Sequence, residues 1–77
     1  MMRQKYAVVI ERGDQDTSYG AYVPDLPGCV AVGETQAEVE KLIAEAITLH
    51  IESLRAHGDP VPAPTSIIEY VEPAAVA

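Results

Sequence analysis

The stretch at residues 22–36 constrains the fold of this 77-residue chain more than any other part of the sequence. Within it, residues 26–29 read Leu-Pro-Gly-Cys, with proline at the second position and glycine at the third. Proline presets the backbone angle that a tight turn needs at its second position, and glycine adopts a positive φ at the third at little cost. These four residues therefore predict a type II turn.

The residues after this turn predict a strand and then a helix. Residues 29–32 read Cys-Val-Ala-Val, a short apolar run of the kind that a buried strand needs. Gly33 ends the run. Thr35 and Glu38 then form a capping box, because each side chain can satisfy a backbone N–H group that the first helical turn leaves unpaired.

Two further strands are predicted before the turn. Residues 6–12 alternate with apolar side chains on both faces, which favours a strand covered on both sides. A polar connection at residues 13–16 leads to a second strand at residues 18–23, which Pro24 ends. Three consecutive strands joined by short loops predict an antiparallel meander.

One long helix is predicted at residues 36–57. Its apolar side chains recur at the three- and four-residue spacing of a helix that packs one face on a core. Gly58 is suited to the left-handed position that ends a helix, and Pro60 prevents its continuation. The apolar stripe comprises Val39, Leu42, Ile43, Ala46, Ile47, His50, Ile51 and Leu54.

The remainder of the chain predicts an extended connector and a fourth strand. Residues 59–64 are rich in proline and favour polyproline-like geometry. Residues 66–71 include two isoleucines, a tyrosine and a valine, and predict the strand; residues 72–77 form a flexible tail. The fold class is therefore α+β: a single domain, residues 1–77, of βββαβ order. A three-stranded antiparallel meander carries the helix on one face and a fourth strand, a partial ribonuclease H-like arrangement.

Size and strand pattern together predict self-association. A domain of this length buries only about 60% of the surface that its unfolded chain exposes, and a single cysteine provides no internal disulfide. One helix cannot cover both faces of a sheet, and the first strand carries apolar side chains on each. We therefore expect a homo-oligomer, a dimer or a tetramer, that covers the second face.

The charge pattern indicates the class of partner. The formal net charge is −7, and six acidic residues but no basic ones lie between Arg12 and Lys41. Such a surface repels phosphate, so direct binding of nucleic acid by this chain alone is disfavoured, whereas a basic protein would be attracted. Neither a signal peptide nor a membrane span is apparent in the sequence, and one unpaired cysteine suits a reducing compartment. A cytoplasmic location is expected.

Candidate catalytic residues are few. Cys29 begins an apolar strand and favours a core role over that of a nucleophile, while His50 lies in the helix stripe and His57 at the helix end. No cofactor or metal site is predicted. One alternative is a metal-dependent nuclease, for which Glu11, Asp25 and Glu45 are the loose candidates, although nothing in their spacing brings them together. Another is an oligomeric ligand-binding module, which a closed pocket lined by Tyr6, Tyr19 or Tyr22 would favour.

A turn and a cap explain most of the central motif, but they do not explain Asp25 or Cys29. The full string, Asp-Leu-Pro-Gly-Cys at residues 25–29 followed by Gly33 and Thr35, resembles the HicB-type antitoxins. Matches to Glu-Ala at residues 45–46 and Gly-Asp-Pro-Val-Pro at residues 58–62 extend the resemblance over about residues 6–71. The sequence departs from the pattern at the helix start, where Glu38 is followed by valine. Many relatives also carry a further C-terminal DNA-binding module, which is missing from these residues.

The resemblance implies a non-enzymatic protein that binds and neutralises a small basic ribonuclease, a HicA-like toxin. Full-length relatives also repress their own operon, a role that would need the DNA-binding module. The acidic surface would speed encounter with a basic toxin and mask its RNA-binding face. Asp25, Leu26, Glu34 and Glu38 are predicted to lie at or near the surface that contacts the partner.

Overall fold

The computed structural model describes residues 4–13 and 18–75 and forms a small two-layer α+β fold. Its elements in chain order are three strands, β1 (Val9–Arg12), β2 (Tyr19–Tyr22) and β3 (Val30–Gly33), and one helix, α1 (Gln36–Ala56). The predicted meander and helix are thus confirmed, with strands shorter at their ends than the sequence suggested. The predicted connection at residues 13–16 lies largely outside the described residues.

The sheet has the order β1-β2-β3, and both neighbouring pairs are antiparallel. Because cross-strand partners share a face, Tyr22 lies on the same face as Val9 and Val30. Ala21, opposite Ile10, lies on the other face, which packs against α1. The helix lies chiefly over β3 and next over β2.

The tight turn forms as the sequence predicts. The amide of Cys29 donates to the carbonyl of Leu26 over 3.0 Å, and Gly28 has a φ of 85°. A positive φ at the third turn position is the mark of a type II turn. The amide of Val23 also donates to the carbonyl of Cys29 over 3.2 Å, which closes the base of the loop.

The predicted capping box starts α1. The amide of Glu38 donates to Oγ1 of Thr35 over 3.0 Å, and Oε1 of Glu38 accepts from the amide of Glu34 over 3.2 Å. The return bond therefore reaches one residue beyond the helix cap itself. Gly33 has a separate role, because a Cβ atom there would lie 3.0 Å from the amide nitrogen of Val39. Glycine allows β3 and the first helical turn to approach closely.

The end of α1 is also as predicted. Gly58 has a φ of 72° and donates its amide to the carbonyl of Arg55, and the amide of Asp59 donates to the carbonyl of Leu54 over 2.9 Å. This pair of bonds is a Schellman motif, which satisfies carbonyl groups that the last helical turn leaves unpaired. The chain then turns back towards the sheet, where the hydroxyl of Tyr6 donates to the carbonyl of Pro62 over 2.6 Å.

The core lies between α1 and the helix-facing side of the sheet, and it is small. Leu26 and Val39 are fully buried at its centre, one from the turn and one from the helix. The other buried members are Ala21, Val23, Cys29 and Ile43, with half-buried apolar side chains from β1 and α1 packed around them. The loop at residues 23–29, which contains the turn, therefore contributes three of the six buried residues and is part of the core.

The fourth strand predicted at residues 66–71 is not formed. Residues 59–75 contain no helix or strand, and the sheet has three strands in the part of the chain described. A strand needs the edge of another strand as a partner for its backbone, and a run of β-branched and aromatic side chains does not supply one. The ribonuclease H-like arrangement, which depended on that strand, is therefore not confirmed, and the fold shown is three antiparallel strands followed by one helix.

Candidate functional site

Asp25 holds the chain that follows the proline-rich connector. Its Oδ2 accepts the backbone amides of Thr65 and Ser66 over 3.1 and 3.0 Å. Its Oδ1 accepts the two side-chain hydroxyls over 3.1 and 2.9 Å. Both oxygens of one carboxylate therefore fix two consecutive residues that are forty positions away in the sequence. We call this arrangement the Asp25 clamp.

These bonds also set the acidity of Asp25. The amide of Ser66 has the largest effect and lowers the pKa of this carboxyl below its ordinary value of 3.8. Desolvation opposes it, and the two hydroxyls and the amide of Thr65 add to the lowering. Hydrogen bonds to the charged form favour that form. The clamp thus operates with an ionised carboxylate at neutral pH.

Leu26 and Cys29 lie inside the molecule. Leu26 is completely buried, so its side chain is not available to a partner in this conformation and serves the core. Cys29 is buried with it, and burial raises the pKa of its thiol. A protonated thiol in an apolar cluster is a small hydrophobic side chain, as the sequence indicated, and is unsuited to act as a nucleophile.

Glu34 and Glu38 lie on the exposed surface at the start of α1. One oxygen of Glu38 is occupied by the capping bond from the amide of Glu34, and Glu34 itself is exposed in the loop that joins β3 to the helix. Glu40, one turn into α1, accepts from the side-chain amide of Gln36 over 3.1 Å. Together these carboxylates place negative charge at the N-terminus of α1.

The sheet face opposite α1 is uncovered and apolar. Val30 and Val32 are 62% and 68% exposed, and Tyr22 beside them is 42% exposed. Cross-strand pairing places Val9 and Glu11 of β1 on the same face. We call this surface the open sheet face. Glu11 of β1 lies at the margin of its apolar centre, and the exposed Glu34 follows the end of β3 in the chain.

A second exposed apolar region is the C-terminal arm, which we define as residues 66–75. Tyr70 is 94% exposed, and the other large apolar side chains of the arm, Ile67, Ile68 and Val71, are all at least half exposed. The arm begins at Ser66, which the Asp25 clamp holds, and it pairs with none of the three strands. The described part of the chain therefore has two exposed apolar surfaces.

The candidates for the alternative functions do not come together. No group of three or more His, Cys, Asp or Glu side chains arranged to hold a metal ion occurs among the described residues. Asp25, one of the three nuclease candidates, already has both oxygens engaged by Thr65 and Ser66. The proposed metal cluster with Glu11 and Glu45 is not assembled.

The tyrosines proposed for a ligand pocket are also separate. Tyr6 lines an open groove of about 610 Å³ against the last turns of α1 and the connector. Tyr19 lines a different groove of about 490 Å³ with Val8 and Ile10. Tyr22 lies on the opposite side of the sheet from Tyr19, on the open sheet face. These three residues do not form a common enclosed pocket.

The comparison with known families agrees with this geometry. The model of the HicB-like antitoxin of bacterial toxin–antitoxin systems matches residues 6–76. This match covers almost the whole chain, including the turn, the helix and the clamp. The protein belongs to the HicB-like antitoxin family.

Individual relatives are similar over most of the chain. The UPF0150 protein Ta0767 of Thermoplasma acidophilum is 45% identical over 58 residues, which are 75% of this chain and 83% of the relative. The UPF0150 protein ssr1765 of Synechocystis is 42% identical over 64 residues, 83% of this chain and 80% of the relative. An uncharacterised 14.9 kDa protein of Haemophilus phage HP1 is 33% identical over 66 residues, 86% of this chain but only 48% of the phage protein.

Sequence reasoning missed the partners of Asp25. A signal was present, since Asp25 was left unexplained by the turn, and Thr65 and Ser66 are adjacent hydroxyl residues directly after a proline-rich connector. Nothing in the spacing, however, indicates that residues forty positions apart meet.

Where the structure describes the chain, no helix is long and apolar enough to cross a membrane.

Proposed function

We propose that this protein is a non-catalytic antitoxin that neutralises a small basic ribonuclease of the HicA type by covering it. Family membership supports the antitoxin role. The observation that carries the proposal is the open sheet face, where three exposed apolar side chains lie beside one another with carboxylates at the margin. An apolar centre with a charged rim is the usual composition of a specific protein interface.

The charge of the chain supports the choice of a basic partner. A formal net charge of −7 on 77 residues gives a negative field that accelerates encounter with a positive protein. A ribonuclease that binds RNA through basic side chains presents such a surface. The antitoxin would compete with RNA for that surface and would not need to act on the catalytic residues.

The predicted partner residues divide into two roles in this proposal. Glu34 and Glu38 are exposed beside the sheet end that carries Val32, and we propose that they contact the toxin. Asp25 and Leu26 support that surface indirectly in this proposal, Asp25 through the clamp and the fully buried Leu26 through the core. We further propose that the protein acts in the cytoplasm as a homo-oligomer, because Tyr22, Val30 and Val32 form an exposed apolar surface on the open sheet face.

The direct test is binding and inhibition of the small basic ribonuclease encoded beside this gene. We expect the purified chain to form a complex that survives gel filtration and to stop cleavage of a generic RNA substrate. Complex formation should weaken as salt is raised, because screening reduces the attraction between unlike charges. A neighbouring ribonuclease that neither binds nor loses activity would refute the toxin-neutralising role.

The surface is tested by one pair of variants. Val32→Glu places a charge in the apolar centre of the open sheet face and should abolish inhibition. Ala44→Glu introduces the same charge at an exposed position on α1 and should leave inhibition unchanged. Equal loss in both variants would show that added negative charge alone is responsible, and equal retention would place the toxin elsewhere.

A further inference from the structure

Two exposed hydroxyl groups belong to the Asp25 clamp. The side chains of Thr65 and Ser66 donate to one oxygen of the carboxylate, Oδ1, over 3.1 and 2.9 Å, and both residues are exposed. The contact depends on these hydroxyls being neutral donors. A modification that converts one of them into an anion would remove a donor and place two negative groups side by side. A single covalent change at this position would therefore turn attraction into repulsion.

The backbone around Ser66 is accessible to a modifying enzyme. The residues that follow it, 67–75, are all exposed and form no helix or strand. An enzyme can therefore bind this part of the chain without unfolding an element of the domain. Apart from Thr65, the other described serine and threonine residues lie beside β2, at the cap of α1 or within α1: Ser18, Thr35, Thr48 and Ser53.

Of the two hydroxyls in the clamp, that of Ser66 is the better acceptor for a transferred group. It is a primary alcohol, whereas the hydroxyl of Thr65 is on a branched carbon. The chain before Thr65 is also tied, because the hydroxyl of Tyr6 donates to the carbonyl of Pro62 over 2.6 Å. The described residues after Ser66 pair with no strand. Ser66 thus lies at the junction between a fixed segment and an accessible one.

The charges around Ser66 indicate the kind of enzyme that fits. Glu69 and Glu72 follow at the third and sixth positions, and residues 56–77 contain no lysine or arginine. A kinase with basic side chains along its substrate groove would attract such a segment, and one with an acidic groove would repel it. The enzyme is therefore expected to select acidic substrates.

We propose that Ser66 is a phosphorylation site and that phosphoryl transfer to its hydroxyl opens the Asp25 clamp. The donor is ATP, and the enzyme is a protein kinase with a basic substrate groove. The new bond joins the γ-phosphorus to Oγ of Ser66, and the bond from that phosphorus to the β–γ bridging oxygen breaks. ADP leaves with the electron pair, and the hydroxyl proton passes to the catalytic base of the kinase. The phosphoserine carries a charge of about −1.5 to −2 at pH 7.

The clamp has no room for the phosphate. Oγ of Ser66 lies 2.9 Å from Oδ1 of Asp25, a hydrogen-bond distance that leaves no space for phosphorus and its oxygens between them. The modified oxygen has no proton to donate, and its phosphate repels the carboxylate. The amide of Ser66, 3.0 Å from Oδ2, would move away with the side chain. The C-terminal arm would then be released at its first residue, while Pro62 stays tied to Tyr6.

No described basic side chain offsets this repulsion. The groups that shift the pKa of Asp25 are Ser66 and Thr65, together with desolvation, and no lysine or arginine of the described residues is among them. A phosphate placed beside an acidic side chain disrupts a contact, whereas one placed beside arginine creates a contact. The surroundings of the clamp therefore favour release of the arm.

The release is tested with the full chain carrying phosphoserine at residue 66. Cys29 is the single cysteine and follows glycine, so peptides 1–28 and 29–77 can be joined there by chemical ligation. In the phosphorylated chain, hydrogen-exchange protection of the Thr65 and Ser66 amides should fall about tenfold or more. The NMR signals of the arm should shift towards random-coil positions, and the amides of β2 and α1 should keep their protection.

The matched control carries the same charge on another exposed hydroxyl. Phosphothreonine at Thr48, on α1, should leave the clamp amides protected. Treatment with a phosphatase should restore protection in the chain modified at Ser66, which shows that the change is reversible and is not caused by misfolding. Retained protection at Thr65 and Ser66, equal loss in both phosphorylated chains, or loss throughout the domain would each overturn the proposed release.

The modification itself is tested on the chain isolated from its own cells. Mass spectrometry should locate a phosphate on Ser66 in growing or stationary cells. The Ser66→Ala chain should lack that phosphate, although it keeps both backbone bonds of the clamp. A chain without phosphate on Ser66 in both growth phases, or with phosphate only at other residues, would refute the site.

The inference goes beyond the proposed function and does not depend on a toxin. A chain that carries phosphate on Ser66 but fails to bind the ribonuclease would refute the toxin role and leave the modification site intact. Inhibition of the ribonuclease by a chain that is never phosphorylated would do the reverse.

Discussion

The loop at residues 23–29 and the C-terminal arm at residues 66–75 are both short, irregular and rich in apolar side chains. The apolar side chains of the loop are buried, whereas those of the arm are exposed. Val23, Leu26 and Cys29 of the turn are buried, and three backbone hydrogen bonds close the loop on itself. The large apolar side chains of the arm are exposed, and none of the three strands pairs with it. Apolar content alone therefore did not decide burial.

What distinguishes the two segments is their backbone. The turn satisfies its own amides and carbonyls, so it enters the core without leaving polar groups unpaired. The arm does not pair its amides and carbonyls with one another in this way, and the Asp25 clamp holds it at its first residue. One carboxylate, at the centre of the turn, is the contact that fixes the start of the other segment.

Truncation of one apolar side chain in each segment should give the largest difference in the free energy of unfolding. Leu26→Ala removes a fully buried side chain and should lower the free energy of unfolding by about 2–5 kcal/mol. Val71→Ala, in the exposed arm, should change it by less than about 0.5 kcal/mol. Urea denaturation followed by circular dichroism measures both. Similar losses would mean that the arm is packed in solution.

A substitution where β3 approaches α1 closely should give the next largest change in stability. Gly33→Ala places a Cβ atom 3.0 Å from the backbone of Val39, which must shift, and should cost about 1–3 kcal/mol of stability. Gly20→Ala is the matched control, because a Cβ atom at that position meets nothing within 4 Å. If the two variants are equally stable, the contact between strand and helix is looser than described.

The clamp is broken by Asp25→Ala, and the effect should be local. The amides of Thr65 and Ser66 should lose protection from hydrogen exchange, and their NMR signals should shift towards random-coil positions, while the amides of β2 and α1 keep their protection. Glu40→Ala is the control, since that exposed carboxylate contacts only a neighbouring side chain in its own helix. Loss of protection throughout the domain would show that the clamp supports the whole fold.

The smallest effect is the response of the clamp to pH. The pKa of Asp25 is lowered on folding, so the attachment of the arm is fully present above the ordinary value of 3.8 and is lost as the pH falls through the depressed pKa. The amide shifts of Thr65 and Ser66 should titrate together below pH 3.8. In Asp25→Asn the same shifts should stay flat. A common midpoint at or above 3.8 would contradict the clamp.

Local chemistry made the central part of the fold predictable. Pro27 and Gly28 define the turn, Thr35 and Glu38 define the helix start, and Gly58 defines its end; each acts through bonds to residues within a few positions. Sequence patterns describe such interactions well, since the partners are adjacent. The uncovered sheet face was also predicted correctly, from the presence of only one helix.

Long-range contacts could not be predicted in the same way. The pattern at residues 66–71 has the composition of a strand, but whether an edge is available depends on where the chain lies after the connector. The turn left Asp25 unexplained, and its hydrogen-bond partners, Thr65 and Ser66, lie too far along the sequence to be predicted from it. The close approach at Gly33 was read only as the end of a strand, because its neighbour belongs to the next element.

The proline-rich connector acts as a spacer of fixed length. It is tied at one point where the carbonyl of Pro62 meets Tyr6, and at another where Thr65 meets Asp25. An extended chain advances about 3 Å per residue. Insertion or deletion of one residue between these two ties would therefore move both hydroxyls out of reach of the carboxylate, although it would alter no side chain that takes part in the contact.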